Sequence, residues 1–536
     1  MRRHETLFAG AIFAIVAISG QAAAQVTSAT VNGGRLEGFA SSGIGVFKGI
    51  PFSAPPVGDK RWKMPQPVVP WTGVKKVDAF APGCMQQGLL PGPGPAGRHS
   101  EDCLYLNVWT PATSASEKLP VMVWIYGGGF ALGETSTPLY DGANIAKKGV
   151  VLVSVAYRVG PFGFLAHPEL SKESRKGSGS YGIGDQIAGL RWVKANIAQF
   201  GGDPGNVTIF GESAGGISVS MLAASPAAKG LFQKAISESG GSFAPLRTAD
   251  EGLPSVPTLK TAEAVGQRFF AAIGAADLKA ARALPAEKIL AGPGTAMVNG
   301  QFWPVADGEI IVGDQYELYS QGKFNDTPIL IGTNADEGRL FLALAGPRGG
   351  GRGGDSVAAF TQQARVGFGD KADVIIAAYT STPDDAAKAI KNLFRDGAFA
   401  WPTWAWAGLQ AKKGKGKVYV YHFENRGSSQ PDGATHADEI AYVFGNLDAP
   451  LLGPPPVRTA ADRTLSEQFM SYWTNFAKTG DPNGPALPVW PAFTTAKPQV
   501  MNLAPAKALD EHPNLRQIKA LDDYFEWRRA RAKSGQ

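Results

Sequence analysis

The residues with the clearest chemical potential form the run Gly211-Glu212-Ser213-Ala214-Gly215-Gly216, a G-x-S-x-G motif. Because the chain contains 67 glycines, such a motif could also arise by chance. Its context makes it informative, since it directly follows an apolar, β-branched run at 207–210 and opens a helical pattern at 217–224. A serine on a tight turn between a strand and a helix lies beside free N–H groups of the helix start. The pattern predicts Ser213 as a nucleophile, and an ordinary serine in a glycine-rich turn is the alternative.

A serine hydroxyl needs a base to accept its proton. The chain has six histidines, and after a strand–turn–helix motif of this kind the acid and then the histidine follow the serine along the chain. That order leaves His422, His436 and His512. His422 lies inside a strand pattern, and His512 lies in a polar stretch near the C-terminus. His436 ends a loop rich in Gly, Ser, Pro and Asp and precedes a helical pattern at 437–444, so we predict His436 as the base.

The third member must be a carboxylate that orients the imidazole and stabilises the imidazolium. Asp336 and Glu337 follow the apolar run at 328–332 and the turn at 333–335. A strand end before a turn suits a catalytic acid, but both residues satisfy this requirement equally. From the residues alone, the choice between these two carboxylates stays open.

Acyl transfer also needs backbone N–H groups that converge on the developing oxyanion. Gly127-Gly128-Gly129 follows directly on the apolar run at 121–126. Three consecutive glycines are costly in chain entropy unless the backbone must approach something closely. The run therefore predicts an oxyanion hole, with an ordinary glycine turn as the alternative.

The elements that must position these residues follow an alternating pattern. Continuous apolar runs typical of buried strands alternate with helical patterns, the clearest of which is at 185–200. Such alternation predicts an α/β fold with a mostly parallel central sheet and helices on both faces, in one domain over residues 25–536. The predicted strands are 121–126, 150–157, 207–210, 328–332 and 418–423.

Taken together, these residues resemble the type-B carboxylesterase family, which includes the cholinesterases and many bacterial esterases. The similarity covers nearly all of the chain after residue 24 and keeps the family's order, so it is highly specific. The segments that carry it are FKGIPFSAPPVGDKRW (47–62), SEDCLYLNVW (100–109), VMVWIYGGGF (121–130), YRVGPFGFL (157–165), FGGDPGNVTIFGESAGG (200–216), GTNADEG (332–338), GATHADEIAYVFG (433–445) and FAKTGDPN (476–483).

The resemblance implies the α/β-hydrolase fold and hydrolysis of carboxylic esters through an acyl-enzyme, with no cofactor and no metal. It implies that the acid is Glu337 rather than Asp336, so that Ser213, Glu337 and His436 form the triad. It also implies that the oxyanion donors are the N–H groups of Gly128, Gly129 and Ala214. The residues expected to support the triad are Glu212 and Ser239, and Cys84 is expected to form a disulfide with Cys103.

The substrate expected from the resemblance is a small-molecule ester. The cholinesterases carry their choline-binding indole between the two cysteines, whereas residues 85–102 contain no tryptophan here. A choline ester is therefore not expected, because the cation–π partner is missing. Amide, lactone and lipid substrates stay open, since the same oxyanion chemistry serves all of them. A non-catalytic binding module is the rival class, and retention of all three triad residues argues against it.

The N-terminus predicts export. Arg2 and Arg3 precede an apolar run at 7–18 and the small residues 22–24, the pattern of a signal peptide cleaved after Ala24. The run is too short for a membrane span, so no stable membrane anchor is expected, although an uncleaved anchor is the alternative. An exported chain with two cysteines is expected to form one disulfide, in the periplasm or outside the cell.

The charge balance gives no reason to expect nucleic-acid binding. The formal net charge is +6, a mild excess for 536 residues. The basic residues cluster only at Arg528, Arg529, Arg531 and Lys533, where the pattern predicts a solvated helix end.

Overall fold

A computed structural model describes residues 25–88, 99–248, 255–297, 300–350, 357–426, 432–451, 457–504 and 508–534. The predicted signal peptide, residues 1–24, lies outside these ranges. Among the described residues, no helix combines the length and the apolar composition that crossing a bilayer requires.

The strands are numbered in chain order. They are β1 (Ser28–Val31), β2 (Gly34–Glu37), β3 (Phe39–Ser41), β4 (Ile44–Pro51), β5 (Val74–Lys76), β6 (Gly83–Cys84), β7 (His99–Ser100), β8 (Tyr105–Thr110), β9 (Leu119–Ile125), β10 (Val151–Val155), β11 (Gly202–Glu212), β12 (Lys234–Glu238), β13 (Ile329–Asn334), β14 (Val418–Phe423), β15 (Gln499–Leu503) and β16 (Ala508–Glu511).

The α-helices are numbered in the same way, and a π-helical turn, Asp396–Ala400, precedes α14. They are α1 (Ala143–Ala146), α2 (Gly160–Phe164), α3 (Pro168–Ser174), α4 (Tyr181–Asn196), α5 (Ala214–Ala224), α6 (Leu259–Ile273), α7 (Leu278–Ala283), α8 (Ala286–Leu290), α9 (Gln315–Ser320), α10 (Gly338–Gly350), α11 (Val357–Phe368), α12 (Ala372–Tyr379), α13 (Pro383–Arg395), α14 (Trp401–Lys413), α15 (Glu439–Phe444), α16 (Ala460–Thr479) and α17 (Leu515–Ser534).

Eleven strands form one sheet in the order β16-β15-β14-β13-β12-β11-β9-β10-β8-β4-β3. The strands from β15 to β10 in this order are all parallel, and antiparallel pairs occur only at the two edges. Every residue of β10, β12, β13 and β14 is buried, which explains why three of these strands were evident as continuous apolar runs. The sequence missed β12, because Lys234 and Glu238 interrupt its apolar character.

The parallel strands bring the four predicted functional segments to one edge of the sheet. The glycine run follows β9, Ser213 follows β11, and Glu337 lies three residues after β13. His436 lies in the segment between β14 and α15. Carboxyl ends of parallel strands share an edge, so segments more than 300 residues apart meet there.

Two further predictions concern the disulfide and the basic residues of the C-terminal helix. Cys84 and Cys103 form a disulfide with an S–S distance of 2.03 Å, as predicted. The expectation of a solvated basic helix end is wrong for Arg529, which is only 8% exposed. Its guanidinium donates to the carbonyl of Phe243 and lies 3.9 Å above the ring of Tyr316.

Candidate active site

Ser213 lies on a strained turn between β11 and α5. Its φ is +55°, in the left-handed region that a side chain other than glycine's rarely adopts. Its backbone is held by a bond from its N–H to the carbonyl of Glu238, at 2.9 Å. A Cβ on Gly215 would lie 2.0 Å from the carbonyl oxygen of Ile125, so only glycine allows α5 to start this close to β9. The glycines of the motif therefore permit the turn that presents the serine.

His436 is bound to Glu337 across 99 residues of sequence. Its Nδ1 lies 2.5 Å from Oε2 of Glu337, and both side chains are buried. The rings of Phe341 and Phe399 pack against the imidazole, with centroid distances of 4.9 and 4.6 Å. The imidazole is therefore fixed in orientation by one carboxylate and two aromatic rings.

The other oxygen of Glu337 is also fully bonded. Oε1 accepts from the hydroxyl of Ser239 at 2.6 Å and from the N–H of Asn334 at 2.7 Å. Both oxygens of Glu337 are therefore held by hydrogen-bonding partners. Asp336 instead lies 2.9 Å from the ammonium of Lys391. The two carboxylates that the residues alone did not distinguish thus have different partners.

The second ring nitrogen of His436 faces the serine turn. Its Nε2 lies 3.1 Å from Oε1 of Glu212, the residue immediately before Ser213. The Ser213 hydroxyl forms no hydrogen bond within the described part of the chain, so the serine and the imidazole are brought to the same turn without being bonded to each other. Hydrogen bonds of this kind are often loose without substrate and tighten when it binds.

Two further carboxyl groups that the sequence did not predict, those of Glu238 and Glu439, lie beside this site, and both are fully buried. The Nε1 of Trp473 donates to Glu238 at 2.8 Å, and the side-chain amide of Asn334 donates to Glu439. A signal was available for Glu439, which directly precedes the apolar run at 440–444, whereas Glu238 lies between two serines in the motif ISESGG. A glutamate in a core-forming run is rarely left unpaired.

Burial and mutual repulsion oppose ionisation of the carboxyl groups of Glu212, Glu238 and Glu439. Burial, with the charges of Glu337 and Glu238, raises the pKa of Glu212 well above its usual range. Burial, followed by the charges of Glu212 and Glu337, raises the pKa of Glu439 in the same way. Burial raises the pKa of Glu238 to about 8, opposed by the bond from Trp473. The raised pKa values of these three carboxyl groups favour their protonated forms.

The glycine run forms a turn with two free amides. The carbonyl of Gly128 accepts from the N–H groups of Ala131 and Leu132, both at 3.1 Å. The N–H groups of Gly128 and Gly129 bind no acceptor among the described residues, and that of Ala214 belongs to the first turn of α5. A Cβ on Gly129 would lie 3.0 Å from Cγ of Met297, so this methionine packs closely over the loop.

The two histidines set aside in the sequence analysis pack together elsewhere. The rings of His422 and His512 have centroids 5.8 Å apart, and both are buried. Burial, together with the charge of Arg395, lowers the pKa of His422 to about 4. Burial, together with the neighbouring His422 and Arg395, lowers the pKa of His512 well below its usual range. Both are neutral core residues near neutral pH. In the described ranges, no three His, Cys, Asp or Glu side chains are grouped to hold a metal ion.

The sequence model of the carboxylesterase family matches residues 21–521. The chain belongs to that family. Similar proteins include a fumonisin B1 esterase of Sphingopyxis macrogoltabida, 37% identical over 86% of this chain and 83% of that protein. A para-nitrobenzyl esterase of Bacillus subtilis is 36% identical over 87% of this chain and 92% of its own. The acetylcholinesterase of Bungarus fasciatus is 35% identical over 90% of this chain and 83% of its own.

Solved carboxylesterase structures share the architecture. A carboxylesterase of Geobacillus stearothermophilus superposes with a TM-score of 0.79 at 34% identity, covering 92% of this chain and 99% of that one. A para-nitrobenzyl esterase structure gives 0.78, also at 34% identity, covering 93% and 100%. The fold is therefore the predicted α/β-hydrolase fold, and this carboxylesterase is a carboxylic ester hydrolase.

Proposed function

We propose that this carboxylesterase cleaves esters with Ser213 as nucleophile, His436 as base and Glu337 as the acid that orients the base. The contact of 2.5 Å between Nδ1 of His436 and Glu337 carries the proposal. By accepting a hydrogen bond from Nδ1, Glu337 keeps the proton of the imidazole on that nitrogen, and the lone pair of Nε2 then points to the side of the serine turn.

In the first half-reaction, Oγ of Ser213 forms a bond to the ester carbonyl carbon while Nε2 of His436 takes the hydroxyl proton. The C–O bond to the alcohol then breaks, and the alcohol leaves with that proton. In the second half-reaction, water adds to the acyl-enzyme, His436 takes its proton and returns it to Ser213, and the acid is released. No cofactor takes part in either half.

The amides of Gly128, Gly129 and Ala214 are the proposed donors to the tetrahedral oxyanion. Two of them lack other acceptors in the described chain, and the third begins α5, where the helix dipole adds to its effect. Removing one such donor typically costs about 3 kcal/mol of transition-state stabilisation.

Glu212 and Ser239 have supporting roles in this proposal. Glu212 lies 3.1 Å from Nε2 of His436, and because its pKa is raised it adds no fixed negative charge beside the base. Ser239 keeps Glu337 aligned through its hydroxyl.

The test is covalent labelling with a fluorophosphonate, combined with hydrolysis of p-nitrophenyl acetate. Ser213→Ala is expected to abolish labelling and to lower kcat by several orders of magnitude. Ser225→Ala, at the end of the same helix, is the control and should keep both. Near-normal turnover in Ser213→Ala would refute the assignment.

The type of bond that the enzyme cleaves best can be determined by comparing esters, amides and lactones directly. Aryl esters of increasing acyl length, the matching anilides and simple lactones would be measured on the same enzyme. We expect esters to have the highest kcat/KM. Faster turnover of amides or lactones would redefine the physiological bond without changing the triad.

Export is the remaining part of the proposal: a signal peptide at 1–24, cleavage after Ala24, and one mature domain at 25–536 in the periplasm or outside the cell. The basic and apolar pattern of the first residues and the disulfide support it. Sequencing the N-terminus of the exported protein should find Gln25 first, and a chain that starts at Met1 would contradict cleavage.

A further inference from the structure

Gln86 lies two residues after Cys84, in the loop that the disulfide closes, and its side chain is buried. Its Nε2 donates to the carbonyl of Gly133 at 2.9 Å and to that of Cys84 at 3.0 Å. Its Oε1 accepts from the N–H of Gly133 at 2.8 Å. One side-chain amide thus binds both backbone groups of Gly133, as a neighbouring strand would.

Gly133 is the far end of the turn that presents the free amides of Gly128 and Gly129. A Cβ on Gly133 would lie 2.6 Å from the carbonyl oxygen of Gly127 and 2.4 Å from the ring of Tyr126, so the two ends of the turn touch. The carbonyl of Gly128 closes the turn from inside. Fixing Gly133 therefore fixes the direction of the two amides.

The turn needs outside support because residues 127–133 include four glycines. Glycine has more backbone freedom to lose than any other residue, so such a loop orders itself poorly. A second contact comes from the other arm of the disulfide loop, where Nε2 of His99 lies 3.5 Å from Glu134. The disulfide loop thus holds the chain at two successive residues.

We propose that Gln86 is a positioning residue that aligns the Gly128 and Gly129 amides for the oxyanion by binding Gly133. The proposal rests on the assignment of those amides as oxyanion donors. It gives the disulfide loop a role in turnover as well as in stability, because Gln86 also binds the carbonyl of Cys84.

The neighbouring Gln87 is the matched control. It belongs to the same loop, but its Nε2 binds Thr295 at 2.9 Å and the carbonyl of Leu290, in a different segment. Gln87→Ala and Gln86→Ala remove the same side chain from adjacent positions. Only the second releases Gly133.

Active sites are first counted by titration with an organophosphate, so that misfolded protein does not enter kcat. Gln86→Ala is expected to lower kcat for p-nitrophenyl acetate by about 10- to 100-fold with KM within about threefold, since donors are displaced rather than lost. The affinity for an aryl trifluoromethyl ketone, whose serine adduct carries an oxyanion, should fall by the same factor. Gln87→Ala should keep kcat within about threefold of the wild type.

A second variant covers the case in which Gln86→Ala does not fold. Gln86→Glu keeps the size and the acceptor for the N–H of Gly133, but an ionised carboxylate faces two carbonyl oxygens, whereas the protonated acid can donate to one of them. The kcat of Gln86→Glu relative to wild type should therefore rise as the pH falls from 8 to 6.

The proposal is overturned if kcat per titrated site is unchanged in Gln86→Ala, if KM alone changes, or if Gln87→Ala has an equal effect. For Gln86→Glu, a ratio to wild type that does not vary with pH has the same consequence. These outcomes are separate from failure of the proposed triad, which Ser213→Ala and fluorophosphonate labelling test without any change at Gln86.

Discussion

Asp336 and Glu337 are adjacent in sequence but bind partners of different kinds. Asp336 pairs with Lys391 at 2.9 Å, and Glu337 binds the imidazole of His436 at 2.5 Å. The chain leaves β13 at Asn334, whose N–H binds Glu337. Two successive residues thus have different roles: Asp336 forms a structural ion pair, and Glu337 is the proposed catalytic acid.

Because their partners differ, isosteric changes of Glu337 and Asp336 should have different effects. Glu337→Gln should lower kcat by about 10³- to 10⁴-fold, because the amide no longer stabilises the imidazolium and favours the wrong tautomer. Asp336→Asn should keep kcat within about threefold and reduce the free energy of unfolding by about 1–2 kcal/mol, since Lys391 retains Asp432 as a second partner. Steady-state kinetics and urea denaturation of both variants measure the contrast. Equal loss of kcat in the two variants would contradict the assignment of the acid.

The buried carboxyl group of Glu238 predicts a pH-dependent stability. Burial raises its pKa from 4.5 to about 8 in the folded protein, while the unfolded chain releases the proton near the usual value. Between these two pH values the folded state binds more protons, so this group lowers the free energy of unfolding as the pH rises toward 8. Glu238→Gln stays neutral and keeps an acceptor for Trp473.

The variant Glu238→Gln should therefore gain stability relative to wild type between pH 5 and pH 8, by on the order of 1–3 kcal/mol. Denaturant unfolding at several pH values measures the difference. Glu37→Gln, an exposed change on β2, is the control and should show no such gain. A difference between Glu238→Gln and wild type that stays constant with pH would mean that Glu238 is ionised throughout.

The C-terminal helix predicts a contrast between two arginines of one cluster. Arg529 is buried, donates to the carbonyl of Phe243 and lies 3.6 Å from Asp314. Arg529→Met should lower the free energy of unfolding by about 2–4 kcal/mol, because it leaves a buried carbonyl and a half-buried carboxylate without their partner.

Arg531→Met should cost about 0–1 kcal/mol, since the side chain of Arg531 is exposed where it lies 3.4 Å from Asp370 and 5.0 Å above the ring of Trp527. Thermal unfolding of both variants measures the contrast. Equal losses would show that α17 does not depend on the buried arginine.

Much of the fold could be predicted from the sequence, because buried parallel strands are continuous apolar runs. The predicted strand at 418–423 coincides with β14, and the other four predicted strands differ from the observed ones by a few residues at their ends. The strand β12 was missed because it carries Lys234 and Glu238 in a five-residue span. Their burial depends on partners from distant elements, such as Asn206 and Trp473, which no local pattern reveals.

The sequence by itself determined which residue types the chain supplies and their order: a serine between glycines after a strand, one histidine in a loop before a helix, and a carboxylate pair at a strand end. The family resemblance already implied that Glu337, and not Asp336, is the acid. Only the tertiary structure showed that Glu238 and Glu439 share the buried space beside it, and that Gln86 binds the glycine turn. Sequence motifs and hydrophobic periodicity depend only on residues that are close together along the chain. Hydrogen bonds and pKa shifts instead depend on distance and burial, which folding alone creates between distant residues.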